Sequence, residues 1–437
     1  MTAREAAFRS LWRIEKESRF SNLETDVTLK REKMSEADAR LYTRLVYGTV
    51  EKKLTLDFHL ARFSDQPLDR LDREVLVLLR LGAYQILYLD RVPDSAAVNE
   101  TVGLCKKVRK NAAGLVNAVL RRLSKDRNVS FPDETRDPVA YLSAFFSVSP
   151  ALCALFLSEF GFEECRRFLE AVSSPPPVTL RVNTLKTDRA SLCALLADRG
   201  IAPSPSRRFP FSLLLPGGAS ALPSFDEGLF FVQDESSMAA VEALDARPGM
   251  TVMDLCACPG GKTFGSAIRM EDRGEVCSFD IHENKLPLID GGAQRLGVSI
   301  VHTAAGDARV FLPAFENRAD RVLVDAPCSG FGVMAKKPEI RYKDPAETER
   351  LPKIQRAILA NAARYVKPGG RLIYSTCTVL RRENEEVVDG FLAAHPDFEE
   401  DDLRLPTVAP GKSRVTLLPQ TDHTDGFFIA AMRKKER

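Results

Sequence analysis

Residues 251–270, TVMDLCACPGGKTFGSAIRM, contain the stretch that decides the fold of the C-terminal half of the chain. TVMDLCA is a short apolar strand, CPGGKT is a glycine-rich turn, and KTFGSAIRM continues as a helix. The turn matches neither G-x-G-x-x-G nor the phosphate loop G-x-x-x-x-G-K-[ST], since only its tail GGKT resembles the latter. The pattern therefore disfavours an ATPase, but its backbone amides and the helix N-terminus favour an anionic ligand.

The alternation of strand, loop and helix continues to the end of the chain. Four more apolar segments predict strands: EVCSFDI (275–281), VSIVHTAA (298–305), RVLVDAPC (321–328) and RLIYSTC (371–377). Helices are predicted at about 347–365 and in RENEEVVDGFLAAH, and GFFIAAMRK closes as a final strand. This alternation predicts a parallel, doubly wound α/β sheet over residues 241–437, with ligands beyond the carboxyl ends of the strands.

Three aspartates follow successive strands of that sheet. Asp280 comes about twenty residues after the glycines, where an acid can accept both ribose hydroxyls of a nucleoside cofactor. Asp307 follows the third strand and Asp325 ends the fourth. A single such aspartate more often caps a helix or forms a turn, but three at neighbouring strand ends favour a binding site.

Two cysteines, Cys328 and Cys377, also follow core strands directly at this edge. A cysteine there can be partly exposed and held as a nucleophilic thiolate. Five others are expected to be small buried hydrophobes: Cys105, Cys153, Cys165, Cys193 and Cys277. A Cys256-x-Cys258 metal clip lacks partners at zinc spacing, and the five histidines are scattered, so no metal site is predicted.

Residues 1 to about 125 read as an all-α bundle with a basic bias. The net charge is +2 overall, but residues 1–130 hold 25 basic and 18 acidic residues. The helix starting after Pro93 should be capped by Ser95. Two helices carry a basic set that is either a solvated face or a phosphate-binding surface: Lys106, Lys107, Arg109, Lys110, Arg121, Arg122, Lys125 and Arg127.

We expect three domains, at 1–127, 145–240 and 241–437, the middle one α+β and joined to the first by a linker over 128–145. Nine cysteines without a secretory segment predict a cytoplasmic protein. The charged N-terminus and the lack of an 18-residue apolar run predict no signal peptide and no membrane span.

These motifs carry a resemblance. The C-terminal half resembles the S-adenosylmethionine-dependent RNA 5-methylcytosine methyltransferases of the Sun family. The motifs that carry this resemblance are DLCACPGGKT, DAPCSGFGV and YSTCT, with QDESS (233–237), DIHENKL (280–286) and LLPQTDHTDGFFIA. LRVNTLKTDR (180–189) is similar to the small α+β, ferredoxin-like or RRM-like domain that precedes their Rossmann-like catalytic domain. The N-terminal segments VPDSAAVNETVGLCKK and GLVNAVLRRL resemble a NusB-like helical RNA-binding domain. The order of the three parts resembles that of bacterial 16S rRNA methyltransferases that act at cytosine 967.

The resemblance implies residue roles. Cys377 would be the nucleophile and Cys328 would assist product release, while Asp325 and Lys262 would touch the base or the cofactor. Asp280 would bind the ribose of the cofactor and Asp307 would lie near its adenine. The methionine part would be held by the turn Cys256, Ala257, Cys258, Pro259, Gly260, Gly261 and Lys262. Cys258 departs from the family's alanine, and KKPEIRYK (336–343) lacks the family's tryptophan.

The chemistry agrees with these roles. Addition of a thiolate to carbon 6 of cytosine makes carbon 5 nucleophilic enough to take a methyl group. The substrate would be 16S rRNA with an unpaired or flipped cytosine, bound by a monomer without a membrane. Basic residues that could hold its backbone are Lys336, Lys337, Arg341, Lys343, Arg381 and Arg382.

Alternatives remain open at this point. A DNA cytosine methyltransferase would attack from Cys328, leaving Cys377 without a role. A non-catalytic RNA-binding assembly factor would need only the helical domain. Another ribosomal or transfer RNA cytosine is a further candidate for the substrate.

Overall fold

The computed structural model describes residues 1–17, 19–215, 222 and 224–436. It contains two compact units, one formed by 1–173 with 334–345 and the other by 174–333 with 346–437. The helices of 150–171 belong to the first unit and the small sheet of the middle region belongs to the second. The three domain boundaries given above stay predictions.

The first unit is helical. Its helices are α1 (Ala3–Glu17), α2 (Ser21–Arg31), α3 (Glu36–Glu51), α4 (Lys53–Ala61), α5 (Arg73–Tyr88), α6 (Asp94–Val108), α7 (Ala113–Lys125), α8 (Pro138–Phe146), α9 (Pro150–Phe160) and α10 (Phe162–Ala171). Helix α5 is buried on most sides, with Leu78, Leu79 and Leu81 in the core, so it forms the centre of the bundle.

Two local predictions for this unit were wrong. Helix α6 begins at Asp94 after Pro93 and has no side-chain cap, so Ser95 lies inside the first turn. Helix α8 occupies 138–146 within the predicted linker, because Asp137 accepts a hydrogen bond from the Ala140 amide and Pro138 suits the first helical position.

The segment 334–345 packs among these helices. Arg341 is fully buried, and its guanidinium donates to the carbonyls of Phe146 (3.0 Å) and Val172 (2.7 Å). The Tyr342 hydroxyl donates to the Val50 carbonyl at 2.7 Å. The prediction that Arg341 holds the RNA backbone is therefore wrong, since its charge is spent on main-chain carbonyls inside the unit.

The second unit contains a small antiparallel sheet with strand order β2-β3-β1-β4. Its elements are β1 (Val178–Val182), α11 (Arg189–Asp198), β2 (Ser204–Pro205), β3 (Ser212–Leu215) and β4 (Phe230–Val232). A leucine-rich core including Leu180, Leu196 and Leu213 joins sheet and helix, as the predicted α+β pattern requires.

The larger sheet has eight strands in the order β10-β12-β9-β8-β5-β6-β7, with β11 paired to β12. The strands are β5 (Thr251–Asp254), β6 (Glu275–Asp280), β7 (Val301–Ala305), β8 (Ala319–Asp325), β9 (Val366–Thr376), β10 (Phe398–Glu400), β11 (Arg414–Leu417) and β12 (Phe427–Lys434). The helices of this part are α12 (Glu235–Leu244), α13 (Gly261–Arg269), α14 (Leu286–Leu296), α15 (Leu351–Tyr365), α16 (Glu385–Ala394) and α17 (Pro419–Asp422).

Strands β5 to β9 pair in parallel, as predicted, but β12 runs antiparallel to β9. The expectation of a wholly parallel sheet was therefore wrong at this edge. Strand β12 also pairs antiparallel with β11, because the connection between them, 418–426, is too short for the crossover that a parallel neighbour needs. Strand β5 lies between β6 and β8, so the strand order reverses beside the glycine turn, where such sheets bind ligands.

No single helix among the described residues is long and apolar enough to cross a membrane; the bent pair α8 and α9 meets the length and composition criteria only when taken together.

Candidate active site

The glycine turn links β5 to α13. The Gly260 amide donates to the Ala257 carbonyl at 2.7 Å, and the Cys258–Pro259 peptide is cis. Gly260 has φ +106°, and a Cβ there would lie 2.4 Å from the Phe264 ring, so only glycine fits. The turn therefore presents the N-terminus of α13 at the carboxyl edge of the sheet, as an anion site requires.

Asp280 is tied to this turn. One carboxylate oxygen accepts from the Cys258 amide (3.1 Å) and the other from the His282 amide (2.9 Å). A carboxylate has lone pairs beyond those two bonds, so Asp280 can still accept from hydroxyls. Asp280 therefore forms a turn, and its role in binding a ribose stays a prediction.

Asp307 follows β7 at the same edge, where the Gly306 amide donates to the Asp280 carbonyl at 3.0 Å. Its carboxylate accepts from the Arg309 amide (2.9 Å) and side chain, and the Arg309 bond lowers the pKa of Asp307. The pairing keeps Asp307 ionised and fixes its orientation.

Asp325 joins two other groups. Lys262 Nζ lies 2.7 Å from one carboxylate oxygen, and Ser375 Oγ donates to the other at 2.8 Å. Burial lowers the pKa of Lys262. The negative charge of Asp325, and after it those of Asp254 and a Cys377 thiolate, raise that pKa above its usual value. Lys262 is therefore a fixed positive charge that favours anions around it.

The two cysteines predicted at strand ends lie together. Asp325 of β8 and Ser375 of β9 are parallel partners, so the loops after them leave the sheet side by side. Cys328 Sγ and Cys377 Sγ are 3.3 Å apart, and both side chains are half-buried, as predicted. The contact with Cys377, with burial, raises the pKa of Cys328 well above its usual range, so Cys328 is the thiol of the pair.

Glu383 and Asn384, which the sequence analysis did not single out, hold the two cysteine loops. The buried Glu383 carboxylate accepts from the Ser329 amide and from Gln355, each at 2.9 Å. Asn384 accepts from Thr376 Oγ1 and donates to the Thr378 carbonyl at 3.0 Å. Their position soon after STC was the available signal, but RENEEVVDGFLAAH was predicted only to be a helix.

Two further polar groups were missed. Asp254 is buried at the end of β5 and accepts from Thr263 Oγ1 at 2.8 Å. Burial, with the charge of Asp325, raises the pKa of Asp254 to about 7. Gln233 is buried near Gly261, and neither atom of its amide has a hydrogen-bond partner among the described residues. Such an orphaned amide beside a glycine cradle fits a site for a polar cofactor.

Other sulfur and basic residues stay outside this cluster. Cys105, Cys153, Cys165 and Cys277 are buried as predicted, but Cys193 is half-buried on α11. Within the described ranges no group of three or more His, Cys, Asp or Glu could hold a metal. Burial raises the pKa of the Cys258 thiol to about 11. Arg382 donates to Thr348 Oγ1 at 2.7 Å, inside the second unit.

The basic set on α6 and α7 is exposed throughout. Acids of the same unit pair with Arg109, Arg122 and Arg127, and Glu5 pairs with Lys107 at 3.9 Å. Among described residues, no ion pair is formed by Lys106, Lys110 or Lys125. Half of the set is thus compensated, and the remaining lysines keep their charge available for phosphates.

Comparisons with known proteins find similarity along the whole chain. Three family models match, "16S rRNA methyltransferase RsmB/F" over 241–433, "NusB family" over 1–125 and "Methyltr_RsmF/B-like, ferredoxin-like domain" over 152–221. These matches confirm the predicted three-part fold class.

Two curated relatives and one solved structure cover almost all of the chain. "Probable ribosomal RNA small subunit methyltransferase B" of Bacillus subtilis (strain 168) is 41% identical over 99% of both chains. "Ribosomal RNA small subunit methyltransferase B" of Klebsiella pneumoniae is 32% identical over 92% of both. The crystal structure of a protein called PH0851 is 27% identical with a TM-score of 0.84, over 99% of this chain and 98% of that one.

Proposed function

Because the chain belongs to the family of ribosomal RNA small subunit methyltransferase B, an rRNA methyltransferase family, we propose that it forms 5-methylcytosine in 16S rRNA by covalent catalysis from Cys377. The observation that carries the proposal is the Cys328–Cys377 pair, 3.3 Å apart beside the Lys262–Asp325 ion pair.

The cofactor we propose is S-adenosylmethionine, which supplies an electrophilic methyl group when bound. The glycine turn 256–262 would hold its methionine part, Asp280 its ribose, and Asp307 the region of its adenine. Asp325 would lie between cofactor and base. The orphaned amide of Gln233 and the open side of Gly261 support this fit.

The proposed chemistry starts at Cys377. Its thiolate, which the Lys262 ammonium stabilises, adds to carbon 6 of the cytosine, and the electron pair moves to carbon 5. Carbon 5 then takes the methyl group from the cofactor sulfur and gives its proton to water. The electron pair of that carbon–hydrogen bond restores the ring as the carbon–sulfur bond breaks and its pair returns to the Cys377 sulfur. Asp325 would hydrogen-bond N3 and the exocyclic amine, where charge changes during addition.

Cys328 would act in the last step. Its raised pKa keeps it protonated beside Cys377, so it is a neutral thiol within 3.3 Å of the sulfur that must leave. A thiol there can donate its proton to the departing Cys377 sulfur during elimination. A DNA-type mechanism would reverse these two roles and has no support from an rRNA enzyme family.

The substrate base must leave its stack to reach two sulfurs at a sheet edge, so we propose an unpaired or flipped cytosine, at position 967 of 16S rRNA. The exposed lysines of α6 and α7 would bind phosphates of the same RNA.

The test is methyl transfer from labelled S-adenosylmethionine to 16S rRNA lacking the modification, followed by bisulfite sequencing. We expect incorporation at one cytosine and none into a transcript with that cytosine replaced by uracil. Incorporation into another rRNA or a tRNA would contradict the substrate assignment, and no incorporation would favour a binding protein.

A further inference from the structure

Gln233 has an unusual environment for a glutamine. Its side chain is 6% exposed, yet both Nε2 and Oε1 lack a partner among the described residues. Its main chain is bonded normally, since the Gln233 amide donates to the Thr179 carbonyl at 3.1 Å. Because a buried amide without partners is unfavourable, a molecule that supplies both an acceptor and a donor would complete this site.

The amide is directed at the glycine turn. Gln233 Nε2 lies 3.5 Å from the position that a Cβ on Gly261 would occupy. Gly261 is the first residue of α13, and the first intrahelical bond at this end runs from the Phe264 amide to the Gly260 carbonyl. The amide groups of the first turn therefore have no helical partner, and Gln233 Nε2 lies beside the first of these residues.

The segment around Gln233 is rigid. Asp234 accepts from the Ser236 amide at 3.0 Å and caps α12, and Ser237 Oγ lies 3.5 Å from Lys262 Nζ. Gln233 is thus held beside α13 from its next residues as well as from its own main chain. A main chain held in this way limits the positions that the buried side-chain amide can take before a ligand binds.

We propose that Gln233 binds the amino-acid end of S-adenosylmethionine, with Nε2 donating to the α-carboxylate and Oε1 accepting from the α-ammonium. The inference rests on the proposed function for the identity of the cofactor. A helix N-terminus favours an anion, and the α-ammonium is attached to the carbon next to that anion. One amide can therefore contact both the α-carboxylate and the α-ammonium. These two groups would supply the acceptor and the donor that the Gln233 amide lacks among the described residues.

The target base is a less suitable occupant. Asp325, which complements its polar edge, lies at the end of β8 beside the cysteines, where Lys262 of α13 is bonded to it. Gln233 instead lies next to the first residue of α13. Its neutral amide has no charge with which to stabilise the charge that develops on the cytosine ring during the reaction.

The experiment measures binding by calorimetry, without RNA, to the full chain. The probes are S-adenosylhomocysteine and 5′-methylthioadenosine, which shares the adenosine and thioether but lacks the amino-acid end. The variants are Gln233→Met, which keeps the volume, and Gln233→Glu, which adds a negative charge. Gln294→Met, at an exposed glutamine of α14, is the matched control.

We expect Gln233→Met to weaken the binding of S-adenosylhomocysteine at least tenfold and the binding of 5′-methylthioadenosine less than twofold. Gln233→Glu should weaken the first ligand further, and Gln294→Met should change neither. If Gln233→Met leaves both affinities within twofold, or weakens both ligands equally, the inference is overturned. Failure of the wild-type chain to bind S-adenosylhomocysteine would instead overturn the proposed cofactor, so the two failures are distinguishable.

Discussion

Cys328 Sγ and Cys377 Sγ lie 3.3 Å apart although 49 residues separate them in the chain. Parallel pairing of β8 with β9, which sets Asp325 opposite Ser375, brings the two loops to this distance. The two sulfurs are not equivalent, because Cys328 is held as a thiol and Cys377 lies within the field of the Lys262 ammonium.

The first prediction separates the roles of these sulfurs. Cys377→Ala should lower methyl transfer by at least about a thousandfold and form no covalent RNA adduct, because the nucleophile is gone. Cys328→Ala should accumulate an adduct, seen as a shifted band on a denaturing gel, because elimination is slowed. Cys193→Ala, at a half-buried cysteine of α11, is the control and should behave as wild type. An adduct that depends on Cys328 instead would reverse the assignment.

The second prediction concerns Glu383. Glu383→Gln replaces the charged oxygen Oε2, which accepts both bonds, by a neutral amide oxygen that is a weaker acceptor, at a buried position. We expect a loss of about 1–3 kcal/mol in unfolding free energy and a fall in kcat, with the affinity for S-adenosylhomocysteine unchanged.

The matched control for Glu383 is Glu386→Gln, an exposed acid on α16. It should change neither kcat nor the urea midpoint. Equal effects of the two variants would show that charge near the loop matters rather than the bonds to the Ser329 amide and Gln355.

The third prediction is a pH dependence at Asp254. The pKa of this carboxyl is about 7 in the folded chain against 3.8 as its ordinary value, so folding favours the protonated form. The stability that it contributes is therefore present below about pH 4 and is lost as the pH rises through about 7. Asp254→Asn should gain stability relative to wild type by a few kcal/mol more at pH 8 than at pH 5, as measured by urea unfolding.

Asp198→Asn, at an exposed aspartate of α11, is the control for this measurement. Its difference from wild type should be the same at both pH values. An Asp254→Asn difference that does not grow with pH would contradict a raised pKa at Asp254.

The fourth prediction concerns Arg341. Arg341→Met should lower the unfolding free energy of the first unit by about 2–4 kcal/mol, because the carbonyls of Phe146 and Val172 lose their charged donor inside the unit. Lys337→Met, at an exposed lysine four positions before Arg341, should change the unfolding free energy by no more than about 0.5 kcal/mol. A loss of RNA affinity without a loss of stability in Arg341→Met would show that the guanidinium contacts RNA.

Much of the larger sheet was predictable because its strands are short apolar segments separated by helices. The predicted segments of 275–281 and 371–377 overlap β6 and β9, and the glycine turn lies between β5 and α13. The edge strands β10 and β11 were missed since they are short, and Arg414–Leu417 mixes charged and polar residues with apolar ones. Their formation depends on pairing with β12, which no local pattern records.

The sequence by itself determined which chemical groups this protein has at its strand ends, because a strand followed by a turn is a local pattern. Cys328, Cys377, Asp325, Asp280 and Asp307 were all found in that way. Only the tertiary structure decided that Lys262 pairs with Asp325, that Glu383 anchors the loop of Cys328, and that Arg341 is buried rather than exposed. Each of these depends on contacts between residues far apart in the chain, and hydrogen bonding and burial are set by such contacts rather than by neighbours in sequence.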